Sequence, residues 1–392
     1  MRIAMLTREW PPDIYGGAGV HVEQLVEHLS PLAAVNVQCF GAPRPDAQAH
    51  EVPRYLDSAN PALQTLGIDL GMAAAVDPST DVVHSHTWYA NLAGHLASLL
   101  NGVPHVVTAH SLEPMRPWKR EQLGGGYEVS SWVEQTVYLN CDAIIAVSEG
   151  MRRDIATAYP QVDPAKIHVV HNGIDTFEYQ PTEDDAALDS FGIAGDRPYA
   201  LFVGRITRQK GLLHLLRAAR SFDDDVDLVL CASSPDTPEI AVEVSEAIAD
   251  LQARRRPGSI VWIDRQVDRR SLIELLSHAR VFTCPSIYEP LGIVNLEAMA
   301  CQTAVVASAV GGIPEVVRNG VTGTLVPYDP QLPEQFERDF AAAVNAVARN
   351  ETLAREFGRE GRRRAVTHFS WTSIAEQTLA VYRWAIERRA TA

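Results

Sequence analysis

The sequence predicts an α/β protein built from two Rossmann-like domains, each with a doubly wound parallel sheet. Short β-branched runs alternate with helix-length segments along the whole chain, which is the pattern of βαβ units. A chain of 392 residues is also too long for one ordinary core. The turn-forming pair Asn172-Gly173 and the acidic stretch after it separate two series of predicted strands.

Predicted strands occur on both sides of this break as short apolar runs rich in β-branched residues. Those in the first half are Arg2–Leu6, Val35–Phe40, Val82–His84, His105–Thr108, Ala143–Val147 and Ile167–Val170. Those in the second half are Tyr199–Val203, Asp227–Ala232, Ser259–Ile263, Val281–Cys284, Ala304–Ala307 and Thr324–Val326. The clearest helical patterns are Val20–Leu29, Leu92–Leu100, Glu149–Ala158 and Trp371–Arg389. The predicted domains are residues 1–172 and 173–370, followed by a C-terminal helix in 371–392.

Composition indicates a globular enzyme rather than a nucleic-acid-binding protein. The hydrophobic content is 46%, and 34 basic against 49 acidic residues give a formal charge of −15. The five cysteines show no metal-ligand spacing and are interpreted as buried, reduced thiols. We find no signal-peptide pattern and no apolar run long enough to cross a bilayer, so a cytoplasmic location without a membrane partner is expected.

The segment from Glu289 to Glu297 carries the most information about function. It places one acidic residue after a predicted strand and a second on the following helix, with Gly292 between them. Backbone N–H groups at a helix N-terminus can hold an anion or a hydroxyl group, and a carboxylate can accept hydrogen bonds from a ribose diol. The segment therefore predicts a ligand with hydroxyl groups at both ends and phosphate between them, which is a nucleotide sugar.

Two cations and a glycine-rich loop also follow predicted strands. Arg205 and Lys210 come after Tyr199–Val203, where parallel sheets bind ligands, and could neutralise a diphosphate. A solvated basic loop is the alternative. Gly16 and Gly17 precede a predicted helix and permit close approach of an anion. Their spacing is not that of a dinucleotide-binding motif, so a structural turn is the alternative there.

Histidines lie at two further predicted strand ends. His110 follows His105–Thr108 and is a candidate site residue, with a packing role as the alternative. His84 and His86 form a His-x-His pair without a further clustered ligand, so no metal site is predicted. The acidic run 223–227 is interpreted as a solvated loop before a strand rather than as a metal-dependent nucleotide site.

The loop Leu112–Tyr127 mixes cations with an aromatic side chain. Arg116, Lys119 and Arg120 surround Trp118 in the sequence. An aromatic plane beside cations suits a phosphorylated sugar, because the ring can stack and the phosphate can pair with the cations. An ordinary charged surface between domains is the alternative.

Together these residues resemble the retaining GT-B glycosyltransferases of the glycogen-synthase and sucrose-synthase-like family. The resemblance spans nearly the whole chain, and its markers are Tyr15-Gly16-Gly17, His110, Gly204-Arg205 with Lys210, and Glu289 through Glu297. The runs 84–89 and 108–132 look closest to actinobacterial members. Tyr15 departs from the family pattern, because bacterial members usually carry Lys there, and the missing cation weakens a simple transfer of the phosphate-binding role.

The resemblance implies an N-terminal acceptor-binding domain, a C-terminal nucleotide-sugar-binding domain, a cleft between them and a last helix that packs back on the first domain. In the second domain, Arg205 and Lys210 match the pair that holds the donor diphosphate. Glu297 matches the carboxylate that binds the ribose, and Glu289 matches the acidic residue beside the donor sugar. The backbone donors of the following helix match Gly292, Ile293 and Val294.

In the first domain, His110 matches the histidine that contacts the donor sugar near its 6-hydroxyl group. Gly16 and Gly17 match the loop that closes on the phosphates and the acceptor. Candidates for binding an acceptor phosphate are Tyr15, Arg116, Lys119 and Arg120.

The reaction that the resemblance implies is transfer of glucose from ADP-glucose to the 4-hydroxyl group of glucose 1-phosphate, with retention and without a metal or other cofactor. Elongation of an α-1,4-glucan is a possible additional activity. A transferase to another phosphorylated or lipid-linked acceptor, such as an inositol phosphate or a mannosyl acceptor, is the alternative within the fold. A sugar-nucleotide epimerase, a phosphorylase with pyridoxal phosphate or a non-catalytic sugar-nucleotide sensor is the alternative of another class. The partners are expected to be small molecules, and the protein a monomer or homodimer.

Overall fold

The computed structural model describes residues 1–14, 16–120, 124–195 and 197–391. The chain divides into two compact units, Met1–Gly173 with Trp371–Ala392 and Ile174–Ser370. The C-terminal helix thus belongs to the first unit, although 197 residues of the second unit precede it in the chain.

Strands and helices alternate in both units, as the sequence pattern predicts. The strands are β1 (Arg2–Leu6), β2 (Ala34–Phe40), β3 (Gln48–His50), β4 (Val82–His86), β5 (His105–Ala109), β6 (Ala143–Ala146), β7 (Ile167–Val169), β8 (Tyr199–Arg205), β9 (Asp227–Ser233), β10 (Ile260–Ile263), β11 (Val281–Cys284), β12 (Val305–Ser308) and β13 (Gly323–Val326). The helices are α1 (Gly17–Leu29), α2 (Pro61–Ala75), α3 (Trp88–Asn101), α4 (Gly126–Asn140), α5 (Glu149–Ala158), α6 (Ala186–Phe191), α7 (Leu212–Ala218), α8 (Pro238–Arg254), α9 (Arg269–His278), α10 (Ile293–Ala300), α11 (Ile313–Val316), α12 (Pro333–Arg349), α13 (Glu351–His368) and α14 (Trp371–Thr391).

The first unit contains a seven-stranded sheet in the order β3-β2-β1-β4-β5-β6-β7. Every recorded pairing in it is parallel; for example, Ile3 of β1 pairs with Val35 on one side and Val82 on the other. The chain runs outwards from β1 to β3 and then returns to the other side of β1. The strand order therefore reverses between β1 and β4, which is where open parallel sheets bind ligands.

The second unit repeats this scheme with a six-stranded parallel sheet in the order β10-β9-β8-β11-β12-β13. Its strand order reverses between β8 and β11. One apolar core in this unit joins β8 and β9 to helices α7, α8 and α12, through residues such as Leu230, Leu215, Val244 and Phe340. The predicted fold class, two Rossmann-like domains with parallel sheets, is confirmed.

Two apolar cores cover the sheet of the first unit. Helices α1 and α14 contribute Leu25 and Tyr382 to one core. Helices α2 and α3 contribute Met72 and Ala93 to the other. Gly173, at the end of the first segment of this unit, packs closely against Trp371 of α14. A Cβ atom at position 173 would lie only 2.5 Å from the Trp371 ring.

Capping residues in the local sequence account for the starts of helices α2 and α5. One strand, in contrast, could not be predicted from the local sequence. The Asn60 side chain accepts a hydrogen bond from Ala62 N, and Pro61 begins α2. Ser148 caps α5 in the same manner. The three-residue edge strand β3 was not predicted, because Gln48-Ala49-His50 has too little β-branched character to indicate a strand. All five cysteines are free and buried, as predicted. Within the described residues, the helices lack a segment both long and apolar enough to cross a membrane.

Asp69 is an exception to the apolar packing of α2. The residue is fully buried in the first unit. Burial raises the pKa of its carboxyl group well above the usual value, and the backbone amide of Ala93 opposes this shift only in part. A carboxyl group whose pKa rises on folding contributes stability only below its unfolded pKa, and this contribution is lost as the pH rises towards the folded pKa.

We therefore expect Asp69→Asn to stabilise the protein at pH 8 by about 1–3 kcal/mol, because the amide never has to be ionised or kept protonated. The gain should shrink as the pH falls from 8 to 5. Urea unfolding at several pH values measures it, with the exposed Asp57→Asn as the control. A gain that does not depend on pH would contradict this account of Asp69.

Candidate active site

The residues singled out in the sequence lie at or after the carboxyl ends of β1, β4, β5, β8 and β11, and all of these strands except β5 flank a reversal of strand order. In the first unit, Glu9 and the glycine loop follow β1, and His86 ends β4. In the second unit, Arg205 ends β8, and Glu289 lies in the loop after β11. In each unit, chemically active side chains thus lie at the carboxyl ends of the strands.

The glycine loop of the first unit is held by a carboxylate that the sequence analysis missed. Gly16 N donates to Glu9 Oε2 at 3.0 Å. Gly19 leaves no room for a side chain, since a Cβ atom there would lie 2.6 Å from the same oxygen. Gly16 and Gly17 therefore stand at the start of α1 with the acidic side chain of Glu9 packed behind them. Tyr15, the family departure, lies outside the described residues.

Four histidines of the first unit form a cluster. His86 Nδ1 is 2.9 Å from His110 Nε2, and the His86 Nε2 atom is 3.0 Å from the sulfur of Met5. His84 Nδ1 is 2.6 Å from the Tyr382 hydroxyl group, which α14 brings back to the first sheet. The His21 ring stands edge-on to His110, with 4.7 Å between the ring centroids. His110 is half-buried, whereas the other three histidines are buried.

These imidazoles are neutral because they are buried. Burial lowers the pKa of His84, His86 and His110 well below the usual value, and neighbouring histidines lower it further. Burial lowers the pKa of His21 to about 4. The side chain of Asn172 opposes this shift only in part. The cluster therefore offers neutral donors and acceptors rather than positive charge.

The same cluster is the one group of histidine, cysteine and acidic side chains in the described residues that could hold a metal ion. Ring nitrogens of His21, His86 and His110 lie within 4.8 Å of one another. Ligand atoms of a tetrahedral zinc ion lie about 3.3 Å apart, so the cluster would have to contract to bind one. Two of the three residues are already hydrogen-bonded to each other.

The loop with Arg116, Lys119 and Arg120 is anchored by buried acidic residues. Glu113 is fully buried, accepts a hydrogen bond from Ser130 and pairs with Arg116 at 2.6 Å. Glu134 accepts from Glu113 N at 2.9 Å, and burial raises the pKa of Glu134 to about 8. The guanidinium group of Arg116 is thereby committed to a structural ion pair.

Arg120 has a different environment at the surface. It pairs with Glu128 at 2.7 Å, and both side chains are largely exposed. Lys119 is half-buried. An exposed ion pair of this kind contributes little to stability and exchanges partners readily, so Arg120 remains available to an anionic ligand.

In the second unit, Arg205 and Lys210 are presented by the end of β8 and the tight turn after it. Arg205 Nη1 pairs with Asp236 Oδ1 at 3.0 Å. Thr207 Oγ1 caps the turn by accepting from Lys210 N at 3.2 Å. Only glycine fits at position 211, because its φ is +65° and a Cβ atom would lie 2.0 Å from the carbonyl oxygen of Pro285.

Lys210 and Glu289 form a partly buried ion pair at the carboxyl end of the second sheet. Lys210 Nζ lies 2.8 Å from Glu289 Oε2, which also accepts from Ser286 Oγ at 3.0 Å. Burial alone would lower the pKa of Lys210, but the Glu289 carboxylate and Cys284 oppose this, and the pKa is raised overall. The described residues provide no hydrogen-bond partner for the second Glu289 oxygen. Lys210 has three N–H donors, so further acceptors can bind it.

The helix after Glu289 begins with a left-handed glycine. Gly292 has φ +94°, and a Cβ atom there would lie 2.6 Å from Asn295 Nδ2. The N–H groups of Ile293 and Val294 are in the first turn of α10, where helix N–H groups have no intrahelical partner. They can therefore donate to a ligand, as the sequence suggested.

Glu297 lies in the middle of α10, where its carboxylate is held by a tyrosine from a distant part of the chain. The Tyr179 hydroxyl group donates to Glu297 Oε1 at 3.2 Å. Burial raises the pKa of Glu297, and the hydrogen bond from Tyr179 partly opposes the shift. Tyr179 was not predicted as a site residue, because 118 residues separate it from Glu297 and the local pattern around the tyrosine carries no signal for the contact.

The comparisons with known proteins agree with this architecture. The family model described as Glycosyltransferase Family 4 matches residues 15–178, and the model described as Glycosyl transferases group 1 matches residues 183–364. Alpha-maltose-1-phosphate synthase of Mycobacterium tuberculosis is 57% identical over 386 residues, covering 98% of this chain and 99% of that protein.

Two more distant similarities also cover most of the chain. A D-inositol 3-phosphate glycosyltransferase of Kribbella flavida is 32% identical over 326 residues, covering 79% of this chain and 72% of that protein. The structure of sucrose-phosphate synthase from Thermosynechococcus elongatus has a TM-score of 0.76 at 25% identity and covers 99% of both chains.

The buried histidines predict a loss of stability in mild acid. A histidine whose pKa falls on folding contributes stability above its unfolded pKa of about 6.5, and this contribution is lost as the pH falls towards the folded value. With a folded pKa of about 4, His21 alone accounts for about 2 kcal/mol of lost stability between pH 7.5 and pH 5.

Replacing His21 with Phe should therefore make the pH dependence of the unfolding free energy shallower over that range, whatever its effect at pH 7.5. Urea unfolding at half-unit pH steps measures the slope. His368→Gln, at the exposed end of α13, is the matched control and should leave the slope unchanged. Equal slopes for His21→Phe and the unmodified protein would refute the assignment.

Proposed function

The chain belongs to glycosyltransferase family 4, and on this basis we propose that it transfers glucose from ADP-glucose to the 4-hydroxyl group of glucose 1-phosphate with retention, giving α-maltose 1-phosphate. The observation that carries the proposal is the 57% identity, over nearly the full length of both chains, to a protein named alpha-maltose-1-phosphate synthase. Elongation of an α-1,4-glucan by the same chemistry is part of the proposal.

The second unit is proposed to bind the donor. Arg205 and Lys210 neutralise its diphosphate, with Arg205 held by Asp236 and Lys210 by Glu289. Glu297 accepts from the ribose hydroxyl groups through the oxygen that Tyr179 does not occupy. Backbone N–H groups of the α10 first turn, at Gly292, Ile293 and Val294, supply further donors.

Glu289 is proposed to hold the glucose ring. One of its oxygens is occupied by Lys210 and Ser286, which leaves the other to accept from sugar hydroxyl groups. Lys210 can donate to Glu289 and to the diphosphate at the same time, since an ammonium group has three donors. The ion pair thus couples the position of the sugar to that of the leaving group.

The first unit is proposed to contact the transferred sugar and the acceptor. His110 contacts the donor sugar near its 6-hydroxyl group, and Gly16 and Gly17 approach the phosphates. Lys119 and Arg120 are the preferred cations for an acceptor phosphate. Arg116 is the weaker candidate because it is paired with the buried Glu113, and Tyr15 remains a candidate from the sequence alone.

The proposed mechanism is same-face transfer through an oxocarbenium-like state. The bond between the glucosyl carbon and the diphosphate oxygen breaks, and the departing oxygen takes the proton of the acceptor hydroxyl group as the new glycosidic bond forms. Negative charge grows on the diphosphate, and Arg205, Lys210 and the α10 N-terminus compensate it. The proposal requires no metal ion, because these groups already supply the compensating charge.

Transfer to another phosphorylated acceptor is the second candidate. It is favoured by the 32% identity to a protein named D-inositol 3-phosphate glycosyltransferase. The two candidate functions use the same binding site for the nucleotide-sugar donor in the second unit. They differ only in the acceptor that the first unit binds.

A substrate panel tests the proposal and separates the candidates. ADP-, UDP- and GDP-glucose are each incubated with glucose 1-phosphate, inositol phosphate or glycogen, with and without EDTA, and products are identified by mass and by NMR of the new linkage. We expect α-maltose 1-phosphate from ADP-glucose and glucose 1-phosphate, at a rate that EDTA does not change. Inositol-linked products alone would favour the second candidate, and activity that needs added magnesium would overturn the metal-free assignment.

Glu289→Gln should lower kcat by about 10²–10³-fold, because an amide cannot balance the charge of Lys210 or accept sugar hydroxyl groups as strongly. The measurement is steady-state turnover of ADP-glucose together with a thermal unfolding scan, which shows that the variant is folded. Glu246→Gln, on the exposed face of α8, is the control and should behave like the unmodified protein. Near-normal turnover of Glu289→Gln would remove Glu289 from the site.

A further inference from the structure

A chain of three side chains runs from the interior of the first sheet to His110. Met5 lies on β1, His86 ends β4, and His110 follows β5. The Met5 sulfur is 3.0 Å from His86 Nε2, and His86 Nδ1 is 2.9 Å from His110 Nε2. Met5 and His86 are fully buried.

The chemistry of methionine fixes where the protons lie in this chain. A thioether sulfur carries no hydrogen and can only accept, so the hydrogen between Met5 and His86 belongs to His86 Nε2. A neutral imidazole carries one N–H, which makes His86 Nδ1 an acceptor. The hydrogen between the two histidines therefore belongs to His110 Nε2, and His110 Nδ1 carries a lone pair.

Both rings must be neutral for these protons to be placed in this way, and the surroundings of the rings favour the neutral form. His86 and His110 are packed against His21 from α1 and His84 from β4, and His21 also contacts Trp371 of α14. None of these neighbours is an acid that could stabilise an imidazolium ion. Burial and the neighbouring histidines lower the pKa of both rings.

The neighbouring His84 shows why Met5 is decisive. Its two ring nitrogens face the hydroxyl groups of Tyr382 and Thr108, at 2.6 and 2.7 Å. A hydroxyl group can donate or accept, so these contacts allow either tautomer of His84. The chain that ends on sulfur has its direction determined, because the sulfur cannot donate.

We propose that His86 is a positioning residue which, together with Met5, holds His110 in the Nε2–H tautomer and so presents His110 Nδ1 as a hydrogen-bond acceptor. The ligand class for this acceptor is a sugar hydroxyl group, which donates its hydrogen to Nδ1. That last step depends on the proposed contact of His110 with the donor sugar; the assignment of the tautomer does not. His110 is half-buried, and the described residues offer no hydrogen-bond partner to its Nδ1.

The proposal makes a specific prediction about substitutions at position 86. Asparagine can place its side-chain oxygen near the position of the imidazole Nδ1 and accept from His110 Nε2. Leucine has nearly the same size and shape and cannot accept. Met5→Leu removes the sulfur acceptor with little change of volume, a kind of exchange that cores tolerate well.

The first arm of the experiment observes the tautomer directly. Nitrogen NMR of the full-length protein with labelled histidine distinguishes a protonated Nε2 from a protonated Nδ1, and His110→Gln assigns the resonance. We expect His110 in the Nε2–H form in the unmodified protein and in His86→Asn, and a mixture of tautomers in His86→Leu and Met5→Leu. A His110 ring protonated on Nδ1 in the unmodified protein would overturn the proposal.

The second arm measures steady-state transfer with the same variants. His86→Leu should lose about tenfold in kcat/KM relative to His86→Asn, the cost of one well-placed hydrogen bond. A thermal unfolding scan shows whether the two variants are equally stable. Equal kcat/KM values would overturn the positioning role even if the tautomer is as proposed. Absence of transfer by the unmodified protein with every donor would instead overturn the proposed function, and the NMR arm would still decide the tautomer.

Discussion

The position at which each parallel sheet reverses its strand order is the constraint on which the rest of this structure depends. A chain that winds outwards from β1 and returns beside it leaves the ends of β1 and β4 without a covering connection. The second unit meets the same constraint at β8 and β11. Glu9, His86, Lys210 and Glu289 all lie at these reversals, although long stretches of sequence separate them.

The two reversals carry different electrostatics for different tasks. In the first unit, desolvation keeps a cluster of buried imidazoles neutral. These rings can donate and accept hydrogen bonds without adding charge to the site. In the second unit, the partly buried Lys210 and Glu289 form an ion pair instead. Buried polar and charged groups of both kinds cost stability unless hydrogen bonds or opposite charges satisfy them.

Much of the fold and part of the candidate site could be predicted because their signals are local. Alternating strand and helix patterns located both sheets, and the residues after strands β5, β8 and β11 were correctly expected at the ends of strands. The partners of those residues could not be predicted. Tyr179 meets Glu297 across 118 residues, and Tyr382 reaches His84 across 298. The sequence made Arg116 a candidate for binding an acceptor phosphate, but folding pairs it with the buried Glu113.

The sequence by itself determined the class of fold, the positions of every strand except β3 and the residue types at the strand ends, because hydrophobic periodicity and turn chemistry act over a few residues. Tertiary structure alone decided which charges are paired, which histidines are neutral and which way their protons point. Those properties depend on desolvation and on partners supplied by other strands and helices. Met5 illustrates the difference: in sequence it is one apolar residue of the first strand, and in the structure it is the acceptor at the end of a histidine chain.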